Sequence, residues 1–533
     1  MRFCSPVSLV AVTALWASLA AAVRPPRLAP RPIAATSQAS ESSVVESTFE
    51  QLIDHSDPSK GTFSQRYWYS AQYWGGPGSP VVLFTPGEVS ADGYQGYLTN
   101  STLTGVYAQQ LQGAVVLVEH RYWGGSSPYT NLTAETLQYL TLEQSVLDLT
   151  YFAENVKLGF ARNSTSSNAP HVPWVLVGGS YSGALTAWTE HLAPGTFWAY
   201  HATSAPVESI YDFWQYFRPI QDGMAKNCSK DVSLVAEHVD KIGKSGTKAQ
   251  QTELKKLFGL EALEHFDDFA AVLPVGPYLW QDNTFATGYS GFFAFCDAVE
   301  NVEAGAAVTP GAEGVGLEKA LTGYANWFKN EIFPGYCASY GYWSDEYSVA
   351  CYDTYNTTSP LFTDTSVDNA VDRQWQWFLC NEPFFWWQDK LTENSGAPSS
   401  ETTLIPRLVS ADYWQRQCAL YFPEVNGFTY GSAEGKSAST FNAWTDGWFL
   451  NGNSTRLIWT NGQYDPWRDA TVSSTFRPGG PLASTPSEPV QIIPGGFHCS
   501  DLYISDSVVN AGVKKVVDNE VAQIKAWVAE FYA

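Results

Sequence analysis

Residues 174–188 read WVLVGGSYSGALTAW. Trp174, Val175, Leu176 and Val177 form a short apolar run, rich in β-branched residues, that stops at Gly178 and Gly179; this is how a strand buried on both faces reads. Ala184 to Trp188 then suits a helix. The same punctuation recurs outward in both directions. Val81 to Thr85 stops at Pro86-Gly87, and Ala114 to His120 runs into Arg121-Tyr122-Trp123-Gly124-Gly125. Between them, Thr141 to Phe152 places Leu142, Val146, Leu149 and Tyr151 at helical spacing, a crossover helix. After a long interruption come strands at Arg456–Thr460 and Val490–Pro494, then a final helix over 513–531 with Val517, Val521, Ile524 and Val528 as its apolar stripe. Alternating strands and helices predict an α/β sheet with right-handed crossovers.

The interruption, residues 215–430, lacks that alternation. It is crowded with aromatics, as in Trp375-Gln376-Trp377-Phe378 and Phe384-Phe385-Trp386-Trp387, and holds Cys228, Cys296, Cys337, Cys351, Cys380 and Cys418. It reads as a mainly helical, disulfide-containing cap inserted over the carboxyl edge of the sheet, dividing the sheet domain into 46–214 and 431–533. With Cys499 the count is seven, so three disulfides and one free thiol are expected in an oxidising compartment. No CxxC or His/Cys cluster suggests a metal site, and no metal or organic cofactor is expected.

The turn at Gly178 to Gly183 has the form of a nucleophile elbow, in which a strained strand-to-helix junction exposes a serine and the helix N-terminus offers N–H groups to an oxyanion. Ser182 stands where the usual G-x-S-x-G has its last glycine. A Gly/Ser-rich turn without chemistry explains the motif equally well when it is taken alone. An α/β-hydrolase sheet would then supply an acid and a base in loops after late strands, in the order Ser, Asp, His. Asp465 follows the strand ending at Thr460, and His498, the sole histidine beyond residue 265, follows the strand ending at Ile493. Asp469 and Asp501 are nearby rivals to Asp465, which is preferred.

Composition narrows the classes. The 533 residues carry 53 acidic and 30 basic side chains, a net charge of −23, which opposes nucleic acid or an anionic membrane surface as partner. Apolar residues at 44% exclude global disorder. Residues 1–22, with Arg2 before an apolar run and then small residues, read as a signal peptide, and 23–45, rich in Pro, Arg, Ala and Ser, as a propeptide or flexible leader. The four arginines before residue 40 precede every acidic residue, so their removal takes the charge from −23 to −27. A secreted, extracellular protein is expected. Sequons at Asn100, Asn131, Asn163, Asn227, Asn356 and Asn453 mark expected glycosylated surface loops.

Phe49 to His55, Thr62 to Tyr67, Glu119 to Gly124, Tyr139 to Gln144, Gly178 to Gly183 and Asn461 to Trp467 together resemble the secreted and lysosomal serine peptidases that cleave after proline, the family of Pro-Xaa carboxypeptidase and dipeptidyl peptidase II. Pro86 to Ser90 and Gly495 to Asp501 are most similar to the fungal acid prolyl endoproteases. The resemblance spans nearly the whole mature chain. It implies Ser180 as nucleophile, His498 as base, Asp465 as its orienting acid, and an oxyanion site from the N–H groups of Tyr181 and Gly87. It further implies cleavage on the carboxyl side of proline, with alanine as an alternative, acting on proline-containing peptides and proteins, as an endopeptidase in acid. Trp467, Trp377 and Phe384 are assigned to an apolar pocket for the proline ring, and Glu88 is a further substrate-binding candidate, as a carboxylate that could hold a substrate amino terminus or be structural. Glu119, Glu143 and Glu382 could bind a substrate amino terminus or be structural. Where animal relatives carry a second histidine this chain has Cys499, the candidate free thiol. An exopeptidase, a lipase or esterase, and a noncatalytic secreted binding protein are the competing readings.

Overall fold

The computed structural model describes residues 31–32, 44–162, 165–302, 310–388, 402–450 and 454–533. The expected signal peptide and most of the expected leader lie outside the described residues.

Eight strands form one sheet: β1 (Val44–Leu52), β2 (Thr62–Ser70), β3 (Val81–Phe84), β4 (Ala114–Val118), β5 (Trp174–Gly179), β6 (Ala199–Thr203), β9 (Leu457–Gly462) and β10 (Val490–Ile493). Their order across the sheet is β1-β2-β4-β3-β5-β6-β9-β10. The pairs β1/β2 and β2/β4 are antiparallel and the rest parallel. This is the α/β-hydrolase sheet. The near-continuous apolar runs follow from it, because both faces are covered. Val81, Leu83, Val116, Val118, Trp174 and Leu176 point into one core, and Val82, Phe84, Val115, Leu117, Val175 and Val177 into the other. The second core is closed by the final helix, Ala511–Phe531, through Val513, Val517, Ile524 and Trp527.

The sequence expectation omitted β1, β2 and β6. The first is an edge strand and the second its antiparallel neighbour, both with alternating burial and polar residues, and Ala199-Tyr200-His201-Ala202-Thr203 carries a histidine into the core. The chain leaves the sheet after Thr203 and rejoins it at Leu457, so the excursion exceeds the expected 215–430 at both ends. It is mainly helical, with one short parallel pair, β7 (Ile210–Asp212) against β8 (Phe385–Trp387), joining its outgoing and returning limbs. Three disulfides staple it: Cys228–Cys296, Cys337–Cys351 and Cys380–Cys418. Cys499 is free and buried. The excursion packs on the carboxyl ends of the strands, where the helix Arg373–Asn381 lays Trp375 and Phe378 against Tyr181 at 5.5 and 5.4 Å between ring centres.

The first matched segments interlock beneath this region. Arg121 is fully buried and grips both oxygens of Asp148 at 2.7 and 2.6 Å, while donating to the carbonyls of Leu52, Ile53 and Tyr139. His55 meets the same carboxyl at 2.8 Å, and Gln51 bonds Gln65 and the Asp148 carbonyl. A buried guanidinium needs this many acceptors to offset its lost hydration. Among the described residues, no helix is long and apolar enough to cross a membrane.

Candidate active site

Ser180 sits between β5 and the helix Tyr181–Leu192 with φ 65° and ψ −129°, a left-handed backbone that costs energy for a non-glycine residue and is held by its surroundings. Two glycines permit the turn. A Cβ on Gly178 would fall 1.9 Å from the Ser182 carbonyl, and one on Gly183 would fall 2.6 Å from that of Thr203. Ser182 does more than replace a glycine: its hydroxyl donates to the Gly179 carbonyl at 2.7 Å and accepts the Gly179 N–H at 3.1 Å, closing the elbow. The Ser180 N–H is tied to the Thr203 carbonyl at the end of β6.

The loop after β10 brings His498 Nε2 to 2.7 Å from Ser180 Oγ, and the loop after β9 brings Asp465 Oδ1 to 2.9 Å from His498 Nδ1. A ring that donates from Nδ1 to Asp465 leaves Nε2 free to accept the serine proton, the arrangement a general base needs. The Trp467 N–H donates to the same Asp465 oxygen at 3.0 Å and fixes its orientation. Burial opposes a charge on His498, but Cys499 and Asp465 beside it hold its pKa well above the ordinary value. Burial pushes the Cys499 thiol up, so at neutral or acid pH that residue is uncharged and Asp465 is the effective partner.

The rivals to Asp465 face elsewhere. Asp469 pairs with Arg468. Asp501, three residues past His498, points beneath the sheet: it accepts from Thr203 Oγ1 at 2.6 Å and lies 3.4 Å from His201 Nε2, with Glu520 of the final helix 3.6 Å from the same nitrogen.

Tyr181 begins the elbow helix, where the first N–H groups have no intrahelical acceptor and face the space above Ser180. Its ring is steered by His120. With Nδ1 on the Arg121 carbonyl at 2.9 Å, which can only accept, the neutral imidazole presents Nε2 as acceptor to the Tyr181 hydroxyl at 3.0 Å. Burial pushes the His120 pKa down to about 4, which keeps that ring neutral above it. Gly87, at φ 85°, packs against Tyr181 and Ser182 so closely that a Cβ would lie 3.2 Å from the Tyr181 ring. Its N–H meets Thr85 Oγ1 at 3.3 Å, a weak bond that a substrate oxyanion could replace. The loop carrying it is anchored by Glu119, which accepts from the Ala91 N–H at 3.0 Å and pairs with Arg66 at 2.5 Å. Gly124 makes room for that pair, since a Cβ there would be 2.1 Å from Glu119 Oε1.

The residues expected to bind substrate separate into two groups. Trp467 and Phe384 border the site. Trp467 meets Phe213, Tyr216 and Trp386 at 5.6, 5.3 and 6.0 Å, and its indole N–H donates to Gln281. Phe384 stacks on Trp386 at 5.0 Å and meets Tyr181 at 5.8 Å. Trp377, by contrast, donates to the Leu140 carbonyl, which joins cap to sheet domain, and packs on Phe422 within the cap. Glu88 is fully buried behind Tyr181, and Glu382 lies between Asn381 and Lys436. Trp375, Trp386 and Tyr216 were missed because an aromatic in a crowded insertion carries no sequence mark of the face it presents, and Phe213 and Gln281 because nothing local marks them either. Of the sequons, Asn100, Asn131 and Asn356 are exposed, while Asn163 and Asn453 lie outside the described residues. Asn227 is not in a loop: it occupies the first turn of the helix Lys226–Ser245 and donates to Glu300 at 3.0 Å.

Residues 51–271 match the family described as Serine carboxypeptidase S28. Serine protease vicPb of Bipolaris victoriae (strain FI3) is 42% identical over 486 residues, covering 91% of this chain and 89% of that protein. The chain belongs to the S28 serine peptidase family. This S28 peptidase is also 28% identical to a probable extracellular serine carboxypeptidase of Arthroderma benhamiae, across 87% of this chain and 64% of that one, and 25% identical to the human thymus-specific serine protease across 90% and 85%. Among solved structures, a hyperthermophilic esterase from Pyrobaculum calidifontis aligns over 98% of this chain and 99% of its own, at 11% identity and a TM-score of 0.31. The fold assignment rests on the strand order instead.

Proposed function

We propose that this S28 peptidase is secreted and hydrolyses peptide bonds on the carboxyl side of proline, with alanine as a second accepted residue, acting as an endopeptidase. The observation that carries the reading is the continuous chain from Ser180 Oγ through His498 to Asp465. Ser180 attacks the carbonyl carbon as His498 Nε2 takes its proton; the oxyanion is held by the Tyr181 and Gly87 N–H groups; His498 returns the proton to the leaving amine, and water then releases the acyl group. The aromatic wall of Phe213, Tyr216, Trp386 and Trp467 beside Asp465 suits a proline ring, which stacks without needing a hydrogen-bond partner.

The acid part of the reading is supported by stability, not by the triad. Several carboxyls are pushed up by burial, Asp268 and Asp501 to about 6 and Glu208 and Glu488 to about 7, and all favour the protonated fold. His498 has the opposite effect on rate, since its raised pKa keeps it protonated and unable to accept from Ser180 as pH falls. An internally proline-containing peptide blocked at both ends tests the endopeptidase reading: cleavage after proline is expected, and cutting only after either block is removed would make the protein an exopeptidase.

A further inference from the structure

The loop that carries Asp465 is gripped from the cap on both sides of that residue, by one short turn, Leu279–Asp282. Trp280 donates its indole N–H to the Tyr464 carbonyl at 2.8 Å, and Gln281 accepts the indole N–H of Trp467 at 2.7 Å. The same Gln281 oxygen, Oε1, accepts from the Tyr216 hydroxyl at 3.1 Å. An indole nitrogen can only donate, so the amide must present its carbonyl to this pair. Trp467 and Tyr216 are 1% and 0% exposed and cross at 78° with 5.3 Å between ring centres, and Trp467 meets Trp386 at the same angle. One amide oxygen thus ties together two of the four rings in the wall beside Asp465.

Trp467 is therefore fixed at both ends. Its backbone N–H is on Asp465 Oδ1 at 3.0 Å, and its indole N–H is on the cap. Between those two points only the side-chain torsions are free, and the bond to Gln281 selects one setting of them. Without an acceptor at position 281 the indole N–H would be stranded in an aromatic wall, and the ring would have to tilt or admit water to recover it. Such a tilt matters unequally for different substrates. A proline side chain closes on its own nitrogen, carries no polar atom and leaves no N–H, so a site reads it only by shape and contact. A gap of about 0.5–1 Å forfeits a quarter to a half of each such contact. An alanine offers one methyl group to the same wall and has little to lose.

We infer that Gln281 is a specificity-determining positioning residue: its carbonyl oxygen sets the Trp467 and Tyr216 rings as the wall that distinguishes proline from alanine before the scissile bond. The inference rests on the proline reading proposed above. Its test uses the full chain and two peptides blocked at both ends that differ only in proline or alanine at that position. Gln281→Leu, which has no acceptor, should lower kcat/KM on the proline peptide about tenfold and on the alanine peptide by no more than about threefold. Gln281→Glu keeps an acceptor oxygen and should restore most of the ratio between the two. Fluorophosphonate labelling of Ser180, which involves no proline ring, should fall by a smaller factor than cleavage of the proline peptide. Should Gln281→Leu fail to fold, Tyr216→Phe removes one of the two bonds and keeps both rings, and the ratio should drop about threefold. Equal losses on both peptides, a parallel loss of labelling, or an unmoved ratio in the folded variant overturns the inference. Failure of the proline reading looks different, since the unsubstituted protein would then show no preference for the proline peptide.

Discussion

One loop, residues 498–501, serves two His–carboxyl groupings that sit on opposite sides of the sheet's end and behave in opposite ways. Above, His498 and Asp465 are hydrogen-bonded at 2.9 Å, and the ring's pKa is raised. Below, His201 lies 3.4 and 3.6 Å from Asp501 and Glu520 with no hydrogen bond to either through Nε2; burial alone pushes it down to about 3, while Asp501 rises to about 6. The residue types are alike. What differs is whether an acceptor meets the ring N–H at bonding distance: where it does, the charged ring is favoured, and where it does not, desolvation keeps the histidine neutral and pushes the carboxyls towards protonation.

The comparison is tested most severely by its catalytic half. Ser180→Ala should lower kcat by about 10⁶ with the melting temperature retained, on the scale of losses for triad serines. Activity persisting in a fluorophosphonate-resistant protein would end the assignment. Asp465→Asn should lower kcat by about 10⁴, by favouring the wrong His498 tautomer, whereas Asp501→Asn should stay within about tenfold because Asp501 touches neither Ser180 nor the His498 ring in the described contacts. Equal losses would show that the two groupings act as one.

The pH dependence sharpens the contrast further. The base form of His498 is lost as pH falls through its raised pKa, so kcat/KM should climb as pH rises. Stability should move the other way. Asp501 and Glu520 have folded pKa values above their unfolded ones, so their contribution is complete below the unfolded value and is lost as pH rises, for Asp501 from its ordinary 3.8 up through about 6. His201, with its value lowered, offsets one of the two carboxyls over that window and not both. Melting temperature measured from pH 4 to 8 should therefore fall, and fall less steeply in Asp501→Asn or Glu520→Gln; a rise would remove the lower grouping from the account. The smallest effect is expected at Cys499, buried and unpaired: Cys499→Ala removes one sulfur from the second core and should cost about 1 kcal/mol, read by chemical denaturation, with kcat nearly unchanged.

Much of this was legible in one dimension because local chemistry enforced it. A parallel strand buried on both faces must be apolar throughout, a tight turn before a nucleophile must have glycine, and a loop after a strand carries its polar residue in a fixed chain order. Those rules located β3, β4, β5, β9 and β10, the elbow, and the order Ser180, Asp465, His498. They did not locate β6, where His201 breaks the apolar run for the sake of a partner more than 300 residues away, nor the antiparallel pair β1 and β2 at one end of the sheet, whose alternation is diluted by polar residues.

By itself, then, the sequence determined the sheet's interior, the seven-cysteine arithmetic that leaves one thiol, and the chain order in which serine, acid and histidine candidates follow one another. Only the tertiary structure decided which of Asp465, Asp469 and Asp501 meets His498, which of the cap's many aromatics face Tyr181 and which merely join cap to sheet, and that Gln281 meets both Tyr216 and Trp467. The physical reason is the same in each case. Covalent neighbours constrain a residue's backbone and burial, but the direction of a side chain and the partner it meets are set by segments distant in the chain, and no local pattern records them.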